Sequence, residues 1–172
     1  EMDFIVTHQK RNEFIRDLTL NLQSNTLVLF QYVEKHGSVL YNMINDAAKD
    51  RRVFYVYGGT DTQTREEIRA ITENEKNAII VASYGTFSTG INIRNLHNIL
   101  FASPSKSRVR ALQSIGRGLR RSESKDTATL FDLADDFTYK SKKNFTINHF
   151  LERINIYAEE QFNYEINRIK MK

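Results

Sequence analysis

The sequence predicts an α/β domain, a parallel sheet with helices on both faces. Two observations carry that expectation. Five short apolar runs rich in β-formers recur along the chain, and stretches with apolar residues at helical spacing separate most of them. Strands that alternate with helices build parallel sheets through right-handed crossovers.

The elements follow in order. Residues 8–22 set Phe14, Ile15, Leu18 and Leu22 at helical spacing, with Thr7 as the candidate N-cap. Residues 26–32 (TLVLFQY) form a continuous apolar run, the pattern of a strand covered on both faces. A helix over 38–49 carries Val39, Leu40, Met43, Ile44 and Ala47. A second strand over 53–57 closes on Gly58-Gly59. Residues 62–74 read as a helix capped by Asp61 or Thr62, and 78–82 as a third strand. A glycine-punctuated loop runs to Ile93, and 98–102 form the fourth strand. Residues 107–121 are predicted helical and 128–133 are the fifth strand.

After Asp136 the texture changes. YKSKKN is a polar joint, and from Phe150 the apolar positions Leu151, Ile154, Ala158, Phe162, Ile166 and Ile169 predict a long amphipathic helix. Packing, on the lobe or on a neighbouring domain, is favoured for that helix over binding DNA as a lone basic helix. The expected division is a lobe over 1–137 and a helical extension over 138–172.

Composition narrows the chemistry. The 172 residues contain no cysteine, which removes disulfides and thiolate metal sites. His8, His36, His97 and His149 lie far apart in sequence, form no metal-binding pair, and read as surface or half-buried residues. No metal site is expected. No apolar run is long enough to span a membrane, and the first residues carry neither a basic n-region nor an apolar h-region. The start at Glu1 with Met2 following suggests a chain cut from something larger, or else a processed end.

Charge is unevenly distributed. Between residues 105 and 125 lie Lys106, Arg108, Arg110, Arg117, Arg120, Arg121 and Lys125, against the single acid Glu123. That block fits an anionic partner or a solvated helix face equally well.

Ligands of an open parallel sheet bind beyond the carboxyl ends of its strands. Lys35-His36-Gly37 follows the first predicted strand; Gly58, Gly59, Thr60 and then Arg65 follow the second. SYGTFSTGIN follows the third, with Ser88 and Thr89 as hydroxyl donors, Gly90 as a site of close backbone approach, and Asn92 as an amide. SPSKSR and then QSIGRGLRR follow the fourth. In that last segment Gly116 and Gly118 each cost a helix roughly 1 kcal/mol relative to alanine, a cost that close approach of another surface would explain. Gln113, Arg117 and Arg120 share one helical face, and the two arginines offer forked donors suited to phosphate.

These segments resemble, in order, the motifs of superfamily 2 helicases. QSIGRGLRR is similar to their Q-x-x-G-R-x-x-R motif, ASYGTFSTGIN to the preceding one, and TLVLFQYVEKHG and VYGGTDTQTREE to the earlier pair, over residues 26–136. Within the superfamily the likeness runs to phage recombination helicases that remodel branched DNA. One spacing departs: Ser83 to Gly90 is seven steps, one more than the usual helicase motif, so Ser83 receives no role.

The resemblance implies a three-layer RecA-like fold and a set of roles. Arg117 and Arg120 would reach the γ-phosphate of ATP, with Gln113, Gly90 and Asn92 contributing to the nucleotide side. Gly58, Gly59, Thr60, Arg65, Ser88, Thr89, Lys106 and Arg108 would hold nucleic-acid phosphates. The chain has neither a G-x-x-x-x-G-K-S/T loop nor a D-E-x-H/D element. ATP and Mg2+ would therefore be held by an N-terminal RecA-like lobe of the same polypeptide, and the chain alone would be inactive. The expected partner is branched or single-stranded DNA, or an RNA–DNA hybrid, in the cytoplasm of an infected host, with no membrane. Asp135-Asp136 reads as a helix cap or inter-lobe contact. A binding module that kept the fold without the motor explains the basic block as well; a small-molecule enzyme of flavodoxin-like architecture leaves the glycine-arginine helix unexplained.

Overall fold

The computed structural model describes residues 1–58, 61–88, 95–104 and 128–171. Helix α1 (Met2–Thr7) leads into α2 (Gln9–Asn21). Strand β1 (Thr26–Phe30) is followed by a π-helical turn, Val33–Gly37, and α3 (Ser38–Ala47). Next come β2 (Val53–Val56), α4 (Thr62–Asn74), β3 (Ile79–Ser83) and the short helix α5 (Tyr84–Ser88). Strands β4 (Asn98–Phe101) and β5 (Thr129–Asp132) complete the sheet, and α6 (Phe145–Glu159) follows. The predicted helix over 107–121 lies outside the described residues.

The sheet is parallel throughout, in the order β2-β3-β1-β4-β5. The chain crosses from β1 to the edge strand β2, returns inward to β3, and resumes on the other side of β1 at β4. The three central strands are buried along their whole length, as their unbroken apolar runs predicted.

Alternation along each strand sends side chains to opposite faces. Leu27, Leu29, Ile80, Ala82, Ile99 and Phe101 pack on one side with Ile68 of α4 and Tyr157 of α6. Val28, Phe30, Ile79, Val81 and Leu100 pack on the other with Ile15 of α2 and with Leu40 and Ile44 of α3. The result is three layers, helix on sheet on helix.

The amino-terminal edge is stapled by side chains to backbone. Asn25 donates to the carbonyls of Glu75 and Asn95 at 2.8 and 3.0 Å and accepts from Ala78 N–H at 2.7 Å. Arg51 donates to the carbonyls of Thr19, Leu22, Ser24 and Asn77 at 2.8–3.2 Å. These bonds satisfy carbonyls at a helix end and in the loops leading into the strands.

Several sequence expectations are corrected. The N-cap of α2 is His8, whose Nδ1 accepts from Arg11 N–H at 3.2 Å; Thr7 instead closes α1 by donating to the Asp3 carbonyl at 2.6 Å. The predicted loop after β3 begins as α5, which glycine at position 85 does not prevent. The C-terminal helix starts at Phe145 and stops at Glu159, and residues 162–171 carry no helix. Its buried residues are Thr146, Arg153 and Tyr157; Leu151, Ala158, Ile166 and Ile169 are exposed. Polar pairing, described below, sets that face.

Candidate functional site

The carboxyl edge of the sheet holds a buried polar network at the junction between β1 and β4, where the strand order reverses. Ligand crevices form at such junctions. The π-helical turn after β1 brings the His36 and Gly37 amides onto the Tyr32 carbonyl, at 3.2 and 2.8 Å, and buries the imidazole completely. His36 is therefore a core residue, which corrects its reading as surface or half-buried. Gly37 is required by packing: a Cβ there would enter the ring of Phe30.

The network fixes its own proton positions. Asn12 Nδ2 donates to the Val6 carbonyl at 3.0 Å, which turns its Oδ1 toward His36 Nε2, also 3.0 Å away. Nε2 therefore carries the proton, and Nδ1 accepts from Ser103 Oγ at 2.5 Å. Ser103 Oγ in turn accepts from the Gln31 amide at 3.1 Å. Burial, reinforced by the Arg11 charge, lowers the His36 pKa to about 3, so the ring is neutral. The Ser103 carbonyl accepts from the Tyr84 hydroxyl at 2.9 Å, tying the end of β4 to α5.

Two arginine–carboxylate pairs flank this network. Arg11 Nε and Nη2 donate to Asp135 at 2.7 and 3.0 Å while Nη1 donates to the Ala102 carbonyl at 2.7 Å. Asp135 therefore binds α2, which corrects its reading as a helix cap or inter-lobe contact; Asp136 caps the turn at Thr138. Arg153 of α6 donates to both Asp132 oxygens at 2.6 and 2.9 Å, and Tyr157 adds a third bond at 2.5 Å. Burial pulls the Arg153 pKa down, but the Asp132 carboxylate outweighs it and leaves the pKa raised. Desolvation makes an unpaired charge costly here, so both pairs depend on their geometry.

The predicted site residues divide between the described and undescribed parts of the chain. Gly58 lies just past β2, with nothing described within 4 Å of where a Cβ would sit. Arg65 sits in the first turns of α4, capped by Asp61, which accepts from Thr64 N–H at 2.8 Å. The Arg65 guanidinium turns back to the carbonyls of Tyr57 and Gly58, at 3.4 and 3.3 Å, bracing the turn at the end of β2. Its Nε finds no partner among the described residues. Ser88 ends α5. Gly59, Thr60, Thr89, Gly90, Asn92, Lys106, Arg108, Gln113, Arg117 and Arg120 lie outside the described residues. Ser83, left without a role, bonds Thr86 through their hydroxyls at 2.7 Å.

Sequence reasoning missed the network of Asn12, His36 and Ser103 and both arginine pairs. Its partners stand 24 to 67 residues apart, beyond any local pattern. The usable signal was the K-H-G turn directly after an apolar strand.

A magnesium ion does not fit the described part of this edge. Asp132 and Asp135 are each occupied by an arginine, and among the described residues no group of three or more His, Cys, Asp or Glu side chains could hold a metal. No described helix is long and apolar enough to cross a membrane.

Order, register and edge chemistry define a RecA-like α/β lobe of the kind found in helicases. Residues 9–122 match the helicase conserved C-terminal domain, and the chain belongs to that family. It is 38% identical to the ATP-dependent DNA helicase uvsW of Enterobacteria phage T4, over 99% of this chain and 36% of that protein. The crystal structure of T4 UvsW superposes with a TM-score of 0.80 at 39% identity, covering 96% of this chain and 35% of the other. A putative ATP-dependent helicase of Saccharomyces cerevisiae, IRC3, is 30% identical over 61% of this chain and 15% of its own length. The chain thus spans about a third or less of the curated relatives it matches.

Proposed function

We propose that this chain is the C-terminal motor lobe of an ATP-dependent superfamily 2 DNA helicase or translocase that remodels branched DNA. The observation that carries this reading is the match to the helicase C-terminal family over residues 9–122, which includes QSIGRGLRR within its bounds.

In this reading ATP and Mg2+ are held by an N-terminal lobe of the same polypeptide, and the nucleotide lies in the cleft between lobes. Arg117 and Arg120 contact the γ-phosphate only when the cleft is closed, with Arg120 the finger that stabilises transition-state charge. Such a finger is worth roughly 10³ to 10⁵ in rate. Gln113, Gly90 and Asn92 report the nucleotide state to the lobe. Gly58, Gly59, Thr60, Arg65, Ser88, Thr89, Lys106 and Arg108 hold the phosphates of one strand, so binding is largely independent of sequence. The cleft is the bistable element, biased by the different contacts the arginines make with triphosphate and diphosphate. The motor works on DNA branches or RNA–DNA hybrids in the infected host cytoplasm.

The braced turn at Gly58 supports a phosphate-tracking role, because a backbone contact needs a fixed backbone. In the full-length protein, Arg120→Ala is expected to lose DNA-stimulated ATP hydrolysis by at least about a thousandfold while retaining ATP binding. Normal turnover in that variant would remove the role assigned to Arg120.

A further inference from the structure

The segment between β5 and α6 has a feature that the motor roles above leave unused. Tyr139 and Lys142 exchange backbone hydrogen bonds at 3.0 and 2.9 Å, closing a two-residue hairpin at Lys140-Ser141. Both tip residues have positive φ, 43° and 69°. A turn with two positive φ values favours Asn-Gly, and lysine and serine hold it under strain. Strain of this kind persists where surroundings impose it or function uses it. Here the tip is exposed, and residues 137–143 are all exposed with it.

The base of the hairpin is fixed by side chains. Phe137 N–H donates to Asn144 Oδ1 at 2.8 Å, and Asn144 Nδ2 donates to the Asp135 carbonyl at 2.9 Å and to Glu1 at 2.8 Å. The fixed base therefore projects Tyr139 with Lys140, Lys142 and Lys143, flanked by Phe137 and Phe145. Tyr139 is 69% exposed, Phe145 51% and Phe137 45%, and Lys140 Nζ lies 5.4 Å from the Tyr139 ring centre. Phe4 of α1, itself exposed, meets Phe137 edge to face at 5.6 Å and extends the aromatic surface. Lys140, Lys142 and Lys143 make no ion pair with a carboxylate among the described residues; Lys143 and Arg168 only lend a favourable field to Asp136, which is bonded to Thr138.

We infer that this hairpin is a second nucleic-acid contact, a platform on which the bases of a single DNA strand stack while its lysines meet the phosphates. Exposed aromatic rings beside lysines suit unpaired bases, whereas bases in a duplex already have both faces covered. The base of the hairpin is tied to Asp135, whose carboxylate meets Arg11 beside the Ala102 carbonyl just past β4, so it stands near the carboxyl edge where the motor contacts are proposed. The choice of DNA rests on the proposed function; the stacking chemistry stands independently of it.

The test uses the full-length protein and a labelled oligo-dT of about 12 nucleotides, with a duplex of equal length as control. Tyr139→Ala is expected to weaken oligo-dT binding about tenfold, with Tyr139→Phe restoring it and duplex binding unchanged. Lys140→Asn/Ser141→Gly is expected to raise Tm, because it relieves the turn, and yet to weaken oligo-dT binding and reduce its salt slope by about 0.7. Unchanged affinity for oligo-dT in Tyr139→Ala, or a double variant with higher Tm and unaltered affinity and salt slope, overturns the inference. Hydrolysis measured in parallel separates the two readings. Unaltered oligo-dT binding with hydrolysis still dependent on Arg120 refutes the platform alone, whereas lost oligo-dT binding with hydrolysis indifferent to Arg120 refutes the motor role alone.

Discussion

The His36 imidazole accepts a 2.5 Å hydrogen bond from Ser103 Oγ, joining the turn after β1 to the end of β4. Ser103 lies two residues before the basic segment that begins at 105. His36→Leu removes a ring bonded at both nitrogens and takes a partner from Asn12 Oδ1 and from Ser103 Oγ. The expected cost is about 2–4 kcal/mol of folding stability, read as a lower urea midpoint at unchanged m-value. A loss within experimental error would show that the network contributes no stability.

The same residue sets a pH dependence. His36 titrates at about 3 in the folded chain, lowered by burial and then by Arg11, against 6.5 when free. The unfolded state therefore binds the extra proton between those values. Its stabilisation is complete above pH 6.5 and is lost as pH falls toward 3. Urea midpoints measured across this window should fall less steeply in His36→Gln than in the parent; parallel profiles would contradict the assignment.

The Asp132 carboxylate offers a second test, since it takes three bonds from α6. Arg153→Met leaves that carboxylate buried without its arginine, with an expected loss of about 3–5 kcal/mol. Replacing both partners, Asp132→Leu/Arg153→Met, should cost less than Arg153→Met alone. Additive losses in a double-mutant cycle would show that the pair acts as two independent residues.

Gly37→Ala is expected to destabilise by about 1–3 kcal/mol through collision with the Phe30 ring. Phe30→Leu in the same chain should recover part of that loss in thermal melts. A second substitution whose cost simply adds would place the strain elsewhere.

The sheet was legible in the sequence because its three central strands are covered on both faces and read as unbroken apolar runs. The C-terminal helix was misplaced for the converse reason. Its buried face is set by Arg153 and Tyr157 on Asp132, and a hydrophobic period cannot register an ion pair between residues 21 positions apart. Its start is fixed by Glu1, whose carboxylate accepts from the amides of Phe145 and Thr146 at 3.1 and 2.8 Å from the far end of the chain. Desolvation raises the Glu1 pKa, but these bonds and those from the side chains of Asn144 and Thr146 outweigh it and bring it to about 2. The motifs placed Gly58 past the second strand and Arg65 on the helix after it, and in the structure the Arg65 guanidinium reaches back to the Tyr57 and Gly58 carbonyls. The supporting network was not legible, because it joins α2, the π-helical turn and β4 through single residues.

Catalysis shared between two lobes is tested most directly by phosphate release from this chain alone, set beside the full-length protein. With ATP, Mg2+ and single-stranded DNA present, the chain alone is expected to release no more phosphate than a protein-free blank, while the full-length protein turns over. Release by the isolated chain that disappears in Arg120→Ala would contradict it, because the whole hydrolytic site would then lie within these 172 residues.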